Sequence, residues 1–156
     1  MMSTSDDVKG FFEKHVIPSL HEWKKSRTDE RLAMNLANNL NNLIDYYWAF
    51  SSVNDPSKVF NKKTSKAYRA ELSKSNSNIG LIRDIADAHK HFKLSRVDRT
   101  LTSANQTSPK SIGFGQAYGM SYGGGELLIT TLDSKEEIHF SIIVESVYEY
   151  WLDLLN

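Results

Sequence analysis

A mainly α-helical protein is expected: an antiparallel bundle of four to five helices, with a small antiparallel β-hairpin or sheet inserted before the C-terminal helix. Three observations predict it. Apolar residues recur three and four apart along separate stretches of the chain. That period is lost between about residues 100 and 140, where Thr, Ser, Gly and Tyr take over. Finally, 156 residues support one hydrophobic core rather than two of ordinary size. The expected organisation is therefore a single domain over residues 1–156, with the β insertion at about 100–140.

Ser5-Asp6-Asp7 supplies a capping side chain and acidic groups where the helix dipole favours them. Val8, Phe11, Phe12, Val16, Leu20 and Trp23 follow at helical spacing. Pro18 falls inside that pattern and should kink or divide the helix near Ile17, because it lacks a backbone donor and clashes with the preceding turn. Thr28-Asp29-Glu30 opens a second helix with Leu32, Leu36, Leu40, Leu43, Ile44 and Tyr47 on one stripe. Asn35, Asn38, Asn39, Asn41 and Asn42 fall mostly elsewhere. Its end is expected around the aromatic run Tyr46 to Phe50, a wide apolar surface for core or dimer contact, before turn chemistry at Asn54-Asp55-Pro56-Ser57.

Residues 58–78 are rich in Lys and Ser, with weak helical spacing through Val59, Ala67, Tyr68 and Leu72, and Ser73 to Asn78 reads as a loop. From Ile79 to Leu94 the helix period returns. Leu81, Ile82, Ile85, Ala88, His89 and Phe92 share one arc, while Arg83, Asp84, Asp87, Lys90 and His91 share the other. Beyond Arg99, a strand is expected near Ile112 to Tyr118, and Glu126–Leu132 with Glu137–Phe140 form a hairpin around Asp133-Ser134-Lys135-Glu136. Ser141 begins the last helix, whose apolar face is Ile143, Val144, Val147, Tyr148, Trp151, Leu152 and Leu155.

With 40% hydrophobic and 24% charged residues the composition is that of an ordinary folded protein. The absence of Cys excludes disulfides, Cys-ligated zinc and thiol nucleophiles. No secretory leader is read in the first residues, and no apolar run approaches the roughly 18 residues of a membrane span, so a cytoplasmic protein without a membrane partner is expected. The glycines of Ile112 to Gly119 do not match G-x-G-x-x-G, and no Gly-Lys-Ser/Thr follows. Gly123-Gly124-Gly125 reads as a turn, and Ser-His-Asp catalysis is not expected.

The formal net charge is zero, but it is unevenly spread. Residues 58–110 carry 12 basic and 4 acidic groups, whereas residues 111–156 carry 1 and 7. A basic segment gathered on one surface attracts phosphates; packed beside the acidic C-terminal segment it would be neutralised instead. Its densest part is Arg83 to His91, continued by Lys93, Arg96 and Arg99. Within it, Asp84, Asp87 and His91 stand at i, i+3, i+7 on one helical face. They could bind a metal with ligands from another helix, such as His15 or His21, or simply form a solvated face with an Asp87–His91 pair.

Arg83 and His89 stand as Arg-x5-His late in a helix that follows two others, with the polar Asp84 directly after the Arg. Here the chain resembles the HEPN superfamily (higher eukaryotes and prokaryotes nucleotide-binding domains), small helical bundles marked by Arg-x4-6-His near the end of an inner helix. The resemblance covers residues 5–98 and 141–155. It implies a protein that binds RNA or acts as a metal-independent endoribonuclease, in toxin or defence systems, with a site at a homodimer interface and no cofactor. His89 would be the general acid/base, Arg83 the phosphate stabiliser and Asp84 the orienting residue, with Lys90, Lys93, Arg96 and Arg99 as contacts to the nucleic-acid backbone. The chemistry suits these side chains, since imidazole titrates near neutrality and guanidinium keeps its charge as a phosphate gains negative charge.

Other roles fit the same residues. His89 on an apolar stripe can be a packed core histidine, and Arg83 to Asp87 an ordinary i,i+4 ion pair. A non-catalytic dimeric module engaging a protein partner is the alternative function. Six residues of helix also place Arg83 and His89 roughly 120° apart, so a shared site needs a helix end between them or a second copy of the chain.

Overall fold

The computed structural model describes residues 4–91, 99–101, 103–111 and 126–156, with side chains from residue 7 onward. Its helices are α1 (Thr4–Phe11), α2 (Ile17–Lys25), α3 (Glu30–Asn54), α4 (Ser65–Ser75), α5 (Ser77–His91) and α6 (Phe140–Leu155), and its strands are β1 (Thr107–Ser111), β2 (Glu126–Thr131) and β3 (Glu137–His139). The fold is mainly helical, with a small antiparallel sheet before the C-terminal helix, as the patterning predicts.

Helix continues from α1 into α2 through a π-helical stretch, Phe12–Val16. The disturbance expected from Pro18 is thus a widened turn rather than a break. A Pro ring four residues after Lys14 crowds the Lys14 carbonyl, and the wider turn gives it room. Ser19 Oγ donates to His15 O at 2.6 Å and accepts from Asn39 Nδ2 at 2.7 Å, so the irregular turn is tied to α3.

The central helix is α3, packing against α1, α2, α4, α5 and α6. Asp29 caps it, accepting from Leu32 N at 3.1 Å, and Ala33, Leu36, Ala37, Leu40, Leu43 and Ile44 are fully buried along it. It runs on to Asn54, past the expected end at the aromatic run, because nothing before Pro56 removes a backbone donor. Ser73 to Asn78 is likewise not a loop. Asn76 alone makes the corner between α4 and α5, with its carboxamide on Ser146 of α6 and on Asn78 N.

At the far side of the core, Tyr47 lies 5.4 Å from Trp151 and 6.1 Å from Tyr68, and Tyr150 stacks edge-on to Trp151. Burial raises the phenol pKa values of Tyr47, Tyr68 and Tyr150 above 10.0, Tyr68 the most. A folded-state pKa above the unfolded one gives stability that is complete below pH 10 and lost as pH rises further. The thermal midpoint should therefore fall above about pH 10, and fall less steeply in Tyr68→Phe; parallel curves for the two proteins would reject this cause.

In the sheet, β1 and β3 flank β2, all antiparallel, with Thr107 opposite Thr130 and Ile129 opposite His139. Pro109 sits in β1, an outer strand among those described, where a missing N–H is tolerated. The hairpin of β2 and β3 matches the expected one. The strand expected near Ile112 to Tyr118 lies outside the described residues. Leu128 and Phe140 join the core where α6 packs on β2 and β3. No helix among the described residues is long and apolar enough to cross a membrane.

Candidate nucleic-acid interface

Asp84 is fully buried on α5, although the helical wheel assigns it to the polar arc. Its carboxylate is saturated. Oδ1 accepts from Arg83 Nε and from Arg99 Nη1, each at 2.8 Å, with Arg83 Nη2 in ion-pair contact at the same distance, while Oδ2 accepts from Thr100 N at 2.9 Å and Thr100 Oγ1 at 2.7 Å. Arg99 Nη1 also reaches Asp87 Oδ2 at 2.8 Å. Burial opposes the Arg99 charge, but the hydrogen bonds and charges of Asp84 and Asp87 outweigh it and raise its pKa. A buried anion facing two guanidiniums and a backbone N–H is the arrangement that compensates its desolvation.

Above this clasp, α3, α4 and α5 enclose a polar groove of about 280 Å³. From α3 come Asn38, Asn41, Asn42 and Asp45; from α4, Lys66 and Arg69; from α5, Arg83, Ala86, Asp87 and Lys90; and Arg99 also lines it. Five cations thus face two lining carboxylates, with Asp84 beneath. Arg69 donates to Asp45 Oδ1 at 2.9 Å, and its side chain is 10% exposed. Lys66 and Lys90 are exposed and form no ion pair among the described residues. Asn41 Oδ1, Arg69 Nε and Arg99 Nε are buried without a hydrogen-bond partner. The arrangement favours oxyanions, because Arg offers planar donors and unpaired Lys adds net positive field.

Five of the twelve basic residues of the middle segment, Lys66, Arg69, Arg83, Lys90 and Arg99, gather on this surface. Among the described residues, the ion pairs of this segment run to Asp45, Glu71, Asp84 and Asp87, except that Lys110 reaches the acidic C-terminal part, at Glu137 Oε1 2.7 Å away. Lys66, Arg69 and the three Asn were not singled out from sequence as site residues. Their signal was the charge excess of residues 58–110, which marks a segment but not a face.

His89 is exposed, not packed on the apolar stripe as its position on the wheel predicts. It belongs to the last turn of α5, where the stripe has passed beyond the core. There it borders a separate concavity of about 490 Å³, with Glu30, Arg31 and Met34 of α3 and Ala104, Asn105, Thr107 and Ser108 before and in β1. Arg83 and His89 thus open onto different depressions of one chain. Lys90 and Arg99 join Arg83 in the groove, while Lys93 and Arg96 lie outside the described residues.

The metal reading of Asp84, Asp87 and His91 fares poorly on chemistry. Both carboxylates are held by Arg99, and among the described residues no group of three or more potential ligands converges. Gly119-Met120-Ser121-Tyr122-Gly123 has the G-x-S-x-G spacing of a nucleophile elbow, a motif that the expectation against Ser-His-Asp catalysis leaves out of account. It lies outside the described residues. Comparison of the chain with protein-family models, with curated proteins and with solved structures finds no match.

Proposed function

We propose that this chain is a HEPN-like, cytoplasmic RNA-binding protein that holds the phosphate backbone in the groove between α3, α4 and α5. The observation that supports it is the convergence of five cationic side chains from three parts of the chain, two of them unpaired. Lys66, Arg69, Lys90 and Arg99 contact phosphates in this reading, and Lys93 and Arg96 of the same basic run extend the contact. Arg83, oriented by Asp84, is the phosphate stabiliser. His89 is the general acid/base, and because it opens onto another depression, metal-independent cleavage requires a homodimer that sets His89 of one copy against Arg83 of the other.

Fluorescence anisotropy with a labelled single-stranded RNA tests the binding. Affinity should fall with salt, and replacing Lys66 and Lys90 by Ala should reduce the slope of log K against log salt by about 1.4, from roughly 0.7 per phosphate contact. An unchanged slope would remove the groove from the proposal. Cleavage in the presence of EDTA should vanish in His89→Ala, whose stability stays within about 0.5 kcal/mol of wild type since the side chain is exposed.

A second reading, the non-catalytic dimeric module, is favoured by an apolar depression of about 380 Å³ lined by Val8, Phe11, Tyr46, Ala49 and Phe50. Sedimentation velocity separates the two: a dimer that binds no RNA at low salt supports this module.

A further inference from the structure

We infer that the inner end of the groove, between Arg69 and Arg99 and beside Asn41, is a subsite for a phosphate monoester, the dianionic group of a free nucleotide or of a nucleic-acid terminus. The inference deepens the RNA reading above and rests on it for the class of ligand. The Arg99 side chain is 6% exposed and spends only Nη1, on Asp84 and Asp87. Among the described residues its Nε is buried and unpartnered, and no hydrogen bond engages Nη2. Nε–H and Nη2–H form the guanidinium edge that grips two oxygens of one phosphate. Arg69, also nine-tenths buried, spends Nη2 on Asp45 Oδ1 and, at 3.5 Å, on Asn41 O, and its Nε is likewise unpartnered. Two nearly buried guanidiniums with idle donors on one cavity call for an acceptor.

Charge and size narrow the ligand. Five cations against Asp45, Asp87 and the underlying Asp84 leave a surplus of two. A phosphate monoester carries about −1.5 to −2 at neutral pH and matches it, whereas an internal diester brings a single charge. The volume of about 280 Å³ lies just under the roughly 300–1,000 Å³ of pockets for drug-sized ligands, which suits one nucleotide and not a duplex. Asn41 Oδ1, a buried acceptor without a donor, would take a ribose hydroxyl beside the phosphate.

The test compares three probes by calorimetry: AMP, a short oligoribonucleotide phosphorylated at its 5′ or 3′ end, and the same oligomer with hydroxyl ends. The phosphorylated oligomer should bind at least about tenfold tighter than the hydroxyl-ended one, and AMP should compete with it. AMP binding as tightly as the oligomer identifies a free nucleotide as the ligand, and weaker AMP binding identifies a chain end; both uphold the subsite. Arg69→Gln should erase the tenfold preference, weakening the phosphorylated oligomer about tenfold more than the hydroxyl-ended one, which also loses one backbone contact. Because Arg69 is buried, Lys66→Ala is the companion variant: it should weaken AMP and the phosphorylated oligomer severalfold with no change in melting temperature. Lys24→Ala, outside the groove, should change nothing. Equal binding of the two oligomers overturns the subsite and leaves the RNA reading standing. AMP binding with neither oligomer bound overturns the RNA reading and leaves the subsite, and no binding of any probe overturns both.

Discussion

Replacing Asp84 with Ala should lower the unfolding free energy by about 3–5 kcal/mol, the cost of leaving buried partners of a lost charge uncompensated. Urea denaturation at neutral pH measures it. In a protein whose whole stability is of the order of 5–15 kcal/mol, a loss of that size moves much of the population toward the unfolded state. The carboxylate is fully buried, and four hydrogen bonds from Arg83, Arg99 and Thr100 end on it. Thr100→Val, which removes one of them and keeps the backbone N–H, should cost only about 0.5–1.5 kcal/mol. A wild-type denaturation midpoint for Asp84→Ala would contradict the clasp. The same result governs how activity data are read: lost cleavage in Asp84→Ala follows from unfolding, so a role of Asp84 in orienting Arg83 must be judged in variants that remain folded.

Trp151 is the second site of large effect. It is fully buried in α6, with ring centroids 5.4 Å from Tyr47 and 5.2 Å from Tyr150. Truncation to Ala leaves a cavity among these rings and should cost about 3–5 kcal/mol. Trp151→Phe should be far milder, under about 1.5 kcal/mol, because it keeps most of the ring and also removes an indole N–H that has no partner. Equal losses in the two variants would show that the indole nitrogen matters to the fold, against this account.

Much of the architecture could be read from periodicity. Leu36, Leu40, Leu43, Ile44, Ile143, Val144 and Val147 are buried where their spacing places them, and the β2–β3 hairpin falls between its expected strands. Periodicity reports direction around a helix axis and says little about how far along that axis the neighbours extend. His89 points with the apolar arc yet is exposed, since the last turn of α5 outruns the core. Asp84 points away from that arc yet is buried, because Arg99 and Thr100, fifteen and sixteen residues later, return to cover it.

Site residues divide in the same manner. The local excess of Lys and Arg in residues 58–110 was visible by counting. The meeting of Arg69 on α4 with Arg83, Lys90 and Arg99 over the Asn face of α3 was not, since it depends on packing among three helices. The Asn residues split accordingly: Asn35 and Asn39 secure the Ser19 turn, while Asn38, Asn41 and Asn42 line the groove.

Thr100 is held from two sides. Its N–H and hydroxyl end on Asp84 of α5, and its carbonyl accepts from Asp133 N at 2.8 Å, at the tip of the β2–β3 hairpin. The sheet is therefore no detachable cassette. A helical scaffold from which residues 99–139 were excised and replaced by a short linker would keep every apolar stripe of α1 to α5, yet strand an ionised carboxylate in its interior. Any grafting of this bundle onto another protein has to carry that one threonine, and the strands that hold it, along with the helices.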